Sequence, residues 1–176
     1  NNGTTVVHGD VGQCYGYGAK GGKLFILANA AGRPMINSVG SPKLVINGTA
    51  LDYLAESFMA GDPLNGGGFV IINGIQFDSK GDIESLETPY PGGNLFSLSS
   101  GGAIYVRDPY RRLSPRQLNG AEFCDLSEED WVLVEDMLIE NQQHFGIPLA
   151  RMLTVDGELR APAEVYRKII PLINKA

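Results

Sequence analysis

Four short apolar runs repeat along the first half of this chain in a common frame, and that repeat constrains the fold more than any other feature. They are Thr4-Thr5-Val6-Val7, Lys23-Leu24-Phe25-Ile26, Lys43-Leu44-Val45-Ile46 and Phe69-Val70-Ile71-Ile72, with a fifth at Ala103-Ile104-Tyr105-Val106. Their starts are separated by 19, 20, 26 and 34 residues, so the first two intervals set the period and the later two carry insertions. Glycine-rich segments follow the runs, and Gly21-Gly22, Gly67-Gly68 and Gly101-Gly102 each stand immediately before the next one. The second repeat is degenerate, with Arg33-Pro34 and Ser41-Pro42 in place of the usual ending.

A repeat this short cannot bury its apolar side chains alone and must stack on its neighbours. Runs of β-formers bounded by glycine read as strands, and about 19 residues at roughly 3.3 Å each make one coil of a parallel β-helix. The expected sense is right-handed. Hairpin strands of a β-sandwich would alternate apolar and polar, whereas these runs are apolar on both faces. Glycine at each corner is expected to supply positive φ or room for close approach. The residues assigned that role are Gly9, Gly12, Gly16, Gly21, Gly22, Gly48, Gly61, Gly67, Gly68, Gly74, Gly101 and Gly102.

The 23 glycines are roughly twice the usual share, without collagen's period. A net charge of −6 argues against a nucleic-acid surface, and the cluster Arg107, Arg111, Arg112 and Arg116 reads as a solvated connector. Two isolated cysteines, Cys14 and Cys124, and two histidines cannot assemble a zinc or iron–sulfur site unaided. No run of eighteen apolar residues and no signal peptide is present, so no membrane association is expected and the reading is cytoplasmic. The asparagine triplets at Asn2 and Asn47 are then chance glycosylation matches in Asn-Gly turns.

The motifs Val7-His8-Gly9-Asp10-Val11-Gly12, Gly16 to Gly22, Val45-Ile46-Asn47-Gly48-Thr49-Ala50 and Phe58-Met59-Ala60-Gly61 resemble the GXGXG domain of glutamate synthases. The closing Ser99-Ser100-Gly101-Gly102-Ala103-Ile104-Tyr105-Val106-Arg107-Asp108 is the most specific of them. The resemblance covers residues 1–108. It implies a structural β-helix that spaces an amidotransferase domain and a flavin-dependent synthase domain without chemistry of its own. Flavin and iron–sulfur cluster would then sit only in those partners, and no catalytic, cofactor or metal residue is assigned here. Similar β-helices form a subunit of formylmethanofuran dehydrogenase, which stands as the alternative, with a stand-alone β-helix enzyme as a third; self-association into a homo-oligomer stays open. Family members carry more coils, and this chain lacks an initiating Met, so truncation at the N-terminus is expected. The insertion from Ile75 to Tyr90 is longer and more acidic than the family turn.

Residues 109–176 are read as a connector plus helical cap. Ser127-Glu128-Glu129-Asp130 predicts a capped helix start, with Trp131, Val134, Leu138, Ile139 and Phe145 on its apolar face and Gly146 at its end. A second helix is predicted from Pro162 through Val165, Tyr166, Ile169 and Ile170.

Among candidate sites, Gly16-Tyr17-Gly18-Ala19-Lys20-Gly21 spells a dinucleotide fingerprint, but it leads into a strand instead of a helix. His8 with Asp10 and Cys14, and the acids Asp78, Asp82, Glu84 and Glu87, read as ordinary turn and solvent-facing residues. His144 reads as a helix-end histidine, and Tyr15, Tyr17, Tyr53 and Tyr105 as stacked coil residues.

Overall fold

The computed structural model describes residues 2–172; Asn1 and residues 173–176, the outer ends of the two predicted segments, lie outside the described residues. The elements in chain order are strands β1 (Thr4–Val7), β2 (Lys23–Ile26), β3 (Lys43–Ile46), β4 (Phe69–Ile72), β5 (Ile75–Phe77), β6 (Ile83–Ser85), β7 (Ala103–Arg107) and β8 (Ala121–Cys124). Helices α1 (Glu128–Phe145) and α2 (Leu149–Met152), strands β9 (Thr154–Val155) and β10 (Glu158–Leu159), helix α3 (Pro162–Val165) and strand β11 (Tyr166–Pro171) complete the chain.

The five repeated runs are the strands β1, β2, β3, β4 and β7. They pair parallel and in register, so the chain is a β-solenoid of stacked coils. Register makes columns. Val7, Ile26, Ile46, Ile72 and Val106 line up inside the coil, and Val6, Phe25, Val45, Ile71 and Tyr105 line up outside it. Both faces are apolar because both are covered: the inner face by the rest of each coil, the outer face by α1. Val134, Met137 and Leu138 of α1 pack on the Phe25, Val45, Ile71 and Tyr105 column.

The helix start is as predicted. Ser127 Oγ accepts from Asp130 N at 3.0 Å, and Gly146 ends the helix at φ 71°. Its buried face differs from the predicted one, because Met137 and Asn141 are buried while Ile139 is 44% exposed. The helix also lies along the flank of the sheet and does not cover its end.

The end is closed by strands, and here the predicted second helix is wrong. Only Pro162–Val165 is helical; Tyr166–Pro171 is β11, antiparallel to both β7 and β8. The sheet order is β1-β2-β3-β4-β7-β11-β8, so the tail completes the sheet in addition to buttressing it. The physical reason is the bare edge of β7. Its unpaired N–H and C=O groups call for a partner strand, and Tyr166, Ile169 and Ile170 are β-formers. The acidic insertion after β4 forms the antiparallel hairpin β5–β6.

The corners also depart from expectation. Positive φ recurs at Cys14, Gly16 and Gly18 in the first coil, at Arg33, Met35 and Asn37 in the second, and at Tyr53, Ala55 and Ser57 in the third. Phe96 and Leu98 continue it. Within these alternating sets glycine supplies the left-handed conformation only at Gly16 and Gly18. Elsewhere L-residues bear a cost of roughly 1–2 kcal/mol each, and bonds between coils hold them there. Met35 N donates to Tyr15 O at 2.8 Å, Ala55 N to Pro34 O at 2.9 Å and Phe96 N to Leu54 O at 3.0 Å.

Candidate functional site

The polar chemistry of the molecule is concentrated where α1, β11 and the hairpin meet the parallel sheet. Asn47 and Asn73 directly follow β3 and β4 and are fully buried. Asn47 Nδ2 donates to Ile26 O at 2.8 Å and to Asn141 Oδ1 at 3.0 Å. Asn47 Oδ1 accepts from Asn73 Nδ2 at 2.9 Å and from Asn141 Nδ2 at 2.8 Å. The Tyr166 hydroxyl donates to Asn73 Oδ1 at 2.7 Å. An asparagine ladder therefore ties two coils, α1 and β11 into one network, and each buried amide is satisfied as burial demands.

Asp130 anchors a second cluster. Its Oδ1 accepts from the Tyr105 hydroxyl at 2.6 Å and lies 2.7 Å from Lys168 Nζ. Its Oδ2 accepts from Ser127 N at 3.0 Å and from Ser127 Oγ at 2.9 Å. Burial pushes the Asp130 carboxyl up, but the bonds from Lys168, Tyr105 and Ser127 outweigh it and hold the group below the usual carboxylate range. Burial, and then the bond to Asp130, push the Tyr105 phenol far above its ordinary value. A general acid or base works best with a pKa near the operating pH. Here the two groups are driven apart and away from neutrality, so the cluster is suited to holding α1 and β11 on the sheet. Lys168 also lines a cleft of about 350 Å³ formed with Asp62, Leu64, Gly102, Ile170 and Pro171.

The motif that closes the repeat supplies the third cluster. Arg107 Nε donates to Met152 O at 2.8 Å, Nη1 to Ser85 Oγ at 2.9 Å and Nη2 to Thr154 O at 3.1 Å. It fastens the hairpin and the α2–β9 turn to β7, so Arg107, at 3% exposed, is not part of a solvated connector, whereas Arg111, Arg112 and Arg116 are exposed, as that reading expects. Asp108 accepts from Arg112 N at 2.8 Å, Leu113 N at 3.1 Å and Arg167 Nη1 at 2.9 Å.

The twelve corner glycines fall into groups. Gly16, Gly22, Gly61, Gly74 and Gly102 have φ between 62° and 85°. Gly48, Gly67, Gly68 and Gly101 have no left-handed φ, but a Cβ there would strike a neighbouring segment, such as Gly61 N at 2.7 Å from Gly101. Gly9 and Gly12 face open space, and Gly21 lies in the bend before β2.

The residues weighed as sites are not brought together. The His8 ring meets Phe145 edge-on at 5.2 Å, Asp10 Oδ1 accepts from Asn29 N at 2.9 Å, and Cys14 is exposed. Asp78 Oδ1 accepts from Lys80 N at 2.7 Å and Asp82 N at 2.9 Å within the hairpin turn. His144 packs on Phe25 at 4.7 Å. Among the described residues no group of three or more His, Cys, Asp or Glu side chains could hold a metal ion, and no helix is long and apolar enough to cross a membrane. The asparagine ladder had a sequence signal, the recurrence of Ile-Asn-Gly at 46–48 and 72–74. No known family's profile matches the chain, and no curated protein matches it at a significant level.

Proposed function

We propose that this chain is a right-handed, single-stranded β-helix that acts as a structural spacer in a glutamate-synthase-like amidotransferase–oxidoreductase assembly, in the cytoplasm. The observation that carries the reading is how the buried polar groups are used. Asp130, Lys168 and Tyr105 bond to one another, Asn47, Asn73 and Asn141 form a ladder, and each network joins segments far apart in sequence. Such a body is stiff, and stiffness is what holding two catalytic domains at a fixed separation requires. The glycine motifs that resemble the GXGXG domain point to an amidotransferase and a flavin- and iron–sulfur-bearing synthase domain as the parts it would orient. Isolation of the natural polypeptide, with its intact mass and the proteins that travel with it, tests this. Both catalytic domains should appear, in the same polypeptide or in stoichiometric subunits. Recovery of the chain at its natural length with neither would overturn the proposal.

A further inference from the structure

Two guanidiniums meet beneath the β5–β6 hairpin without a carboxylate between them. Arg107 is 3% exposed, and its acceptors are two carbonyls and one hydroxyl, all neutral. Half-buried Arg151 donates to Ile83 O at 2.6 Å through Nη2 and to Thr154 O at 3.4 Å through Nη1. Both side chains therefore converge on one oxygen, Thr154 O. Among the described residues neither takes part in an ion pair, while Arg33, Arg160 and Arg167 each do. A buried cation without a counter-charge is costly, and a second cation beside it adds repulsion. Burial first, and then Arg151, hold Arg107 below the usual guanidinium range, partly offset by Tyr166 and Tyr110.

A cleft of about 430 Å³ opens over Arg151, lined by Ser85, Tyr110, Thr154, Asp156 and Glu84 among others, with Arg107 behind its wall. A guanidinium has five N–H donors, and Arg151 commits two of them. The Ser85 hydroxyl accepts from Arg107 and keeps its own hydrogen free. The rim carries two acids: Glu84 accepts from Gln76 Nε2 at 2.6 Å and Asp156 from the Tyr110 hydroxyl at 2.7 Å.

We propose that the cleft between the β5–β6 hairpin and the α2–β9 turn is an anion site that takes the carboxylate of a small organic acid. Arg151 and the Ser85 hydroxyl bind it directly, and Arg107 stands behind Ser85 and Thr154 and adds its field. A planar pair of oxygens matches the guanidinium fork. The single charge matters as well, because Glu84 and Asp156 oppose the second charge of a phosphate dianion.

Melting the chain in 50 mM sodium acetate, in sodium chloride and in inorganic phosphate, at equal ionic strength and neutral pH, tests the site. Acetate should raise Tm over chloride by about 3 °C, as expected for a ligand of the folded state with Kd of about 10 mM. Arg151→Gln should abolish that gain. Titration of the parent with acetate should also move the Arg151 Nε–H resonance, a readout that does not depend on the variant folding. Equal Tm in acetate and chloride, a larger gain with phosphate, an undiminished gain in Arg151→Gln, or a stationary Nε–H resonance would each overturn the proposal.

Discussion

Gly9 and Gly48 occupy the same place in different coils, two residues beyond the ends of β1 and β3, yet alanine should act on them with opposite sign. The column runs through Gly9, Ala28, Gly48 and Gly74, with Ala28 N on Gly9 O at 3.2 Å, Gly48 N on Ala28 O at 2.9 Å and Gly74 N on Gly48 O at 3.0 Å. A Cβ on Gly48 would enter the space of Asn29 Oδ1 and lie 2.8 Å from Ala28 O. That Asn29 oxygen accepts from Thr49 N at 2.9 Å, so relieving the clash breaks a bond between coils. Overpacking costs about 1–3 kcal/mol and the lost bond about 1 kcal/mol. The reduced freedom of the unfolded chain returns about 0.4–1 kcal/mol. Gly48→Ala should therefore destabilise by about 2–3 kcal/mol. At Gly9 a Cβ meets nothing and φ is not left-handed, so Gly9→Ala retains only the unfolded-state term and should stabilise by about 0.4–1 kcal/mol. Urea titration followed by circular dichroism reads both. If Gly48→Ala lies within about 0.5 kcal/mol of the parent, or both variants shift alike, the close-approach argument is wrong.

The acid limb of stability should depend on Asp130. Its folded pKa is depressed, so its contribution is present above the ordinary carboxylate value of about 4 and is lost as pH falls through the lower folded value; urea midpoints from pH 2 to 7 should show a flatter limb in Asp130→Asn. Asn47→Ala should cost about 2–4 kcal/mol, because it strips partners from buried Asn73 and Asn141 at once, and a thermal melt close to the parent's would contradict the ladder's role. Leu98→Gly should stabilise by roughly 1 kcal/mol, since Leu98 is 77% exposed at φ 55°; a loss of stability would mean that its side chain packs in a way the fold does not show.

The parallel strands were legible because the information is local and repeats. Four β-formers at a fixed offset before a glycine segment state both the strand and its register, and Phe69↔Ala103 pairs as the common frame requires despite an intervening hairpin. The corner conformations were not legible, because Arg33, Met35 and Tyr53 have no preference for positive φ. What holds them is a bond to the next coil, which no local window contains. Strand β11 was misread for a related reason. Pro162 does begin a helical turn, but what ends it after one turn is the open edge of β7, far away along the chain. Asp130 was read only as part of a capped helix start. Its bonds to Tyr105 and Lys168 come from two other strands, and nothing at residues 127–130 announces them.

The closing strand sets an order on synthesis. Coils made of neighbouring residues can stack as they leave the ribosome, but the outer edge of β7 stays bare until Tyr166–Pro171 emerges. Roughly sixty residues separate the two strands, about 3–12 s of elongation at ordinary rates of ~5–20 residues per second. Throughout that interval the nascent chain carries a row of unpaired backbone groups beside Ile104 and Val106, a template for pairing with another copy. Strand β11 is thus what covers the edge of β7, and a chain that ended before Tyr166 would hold every coil and still present that edge for pairing with another copy.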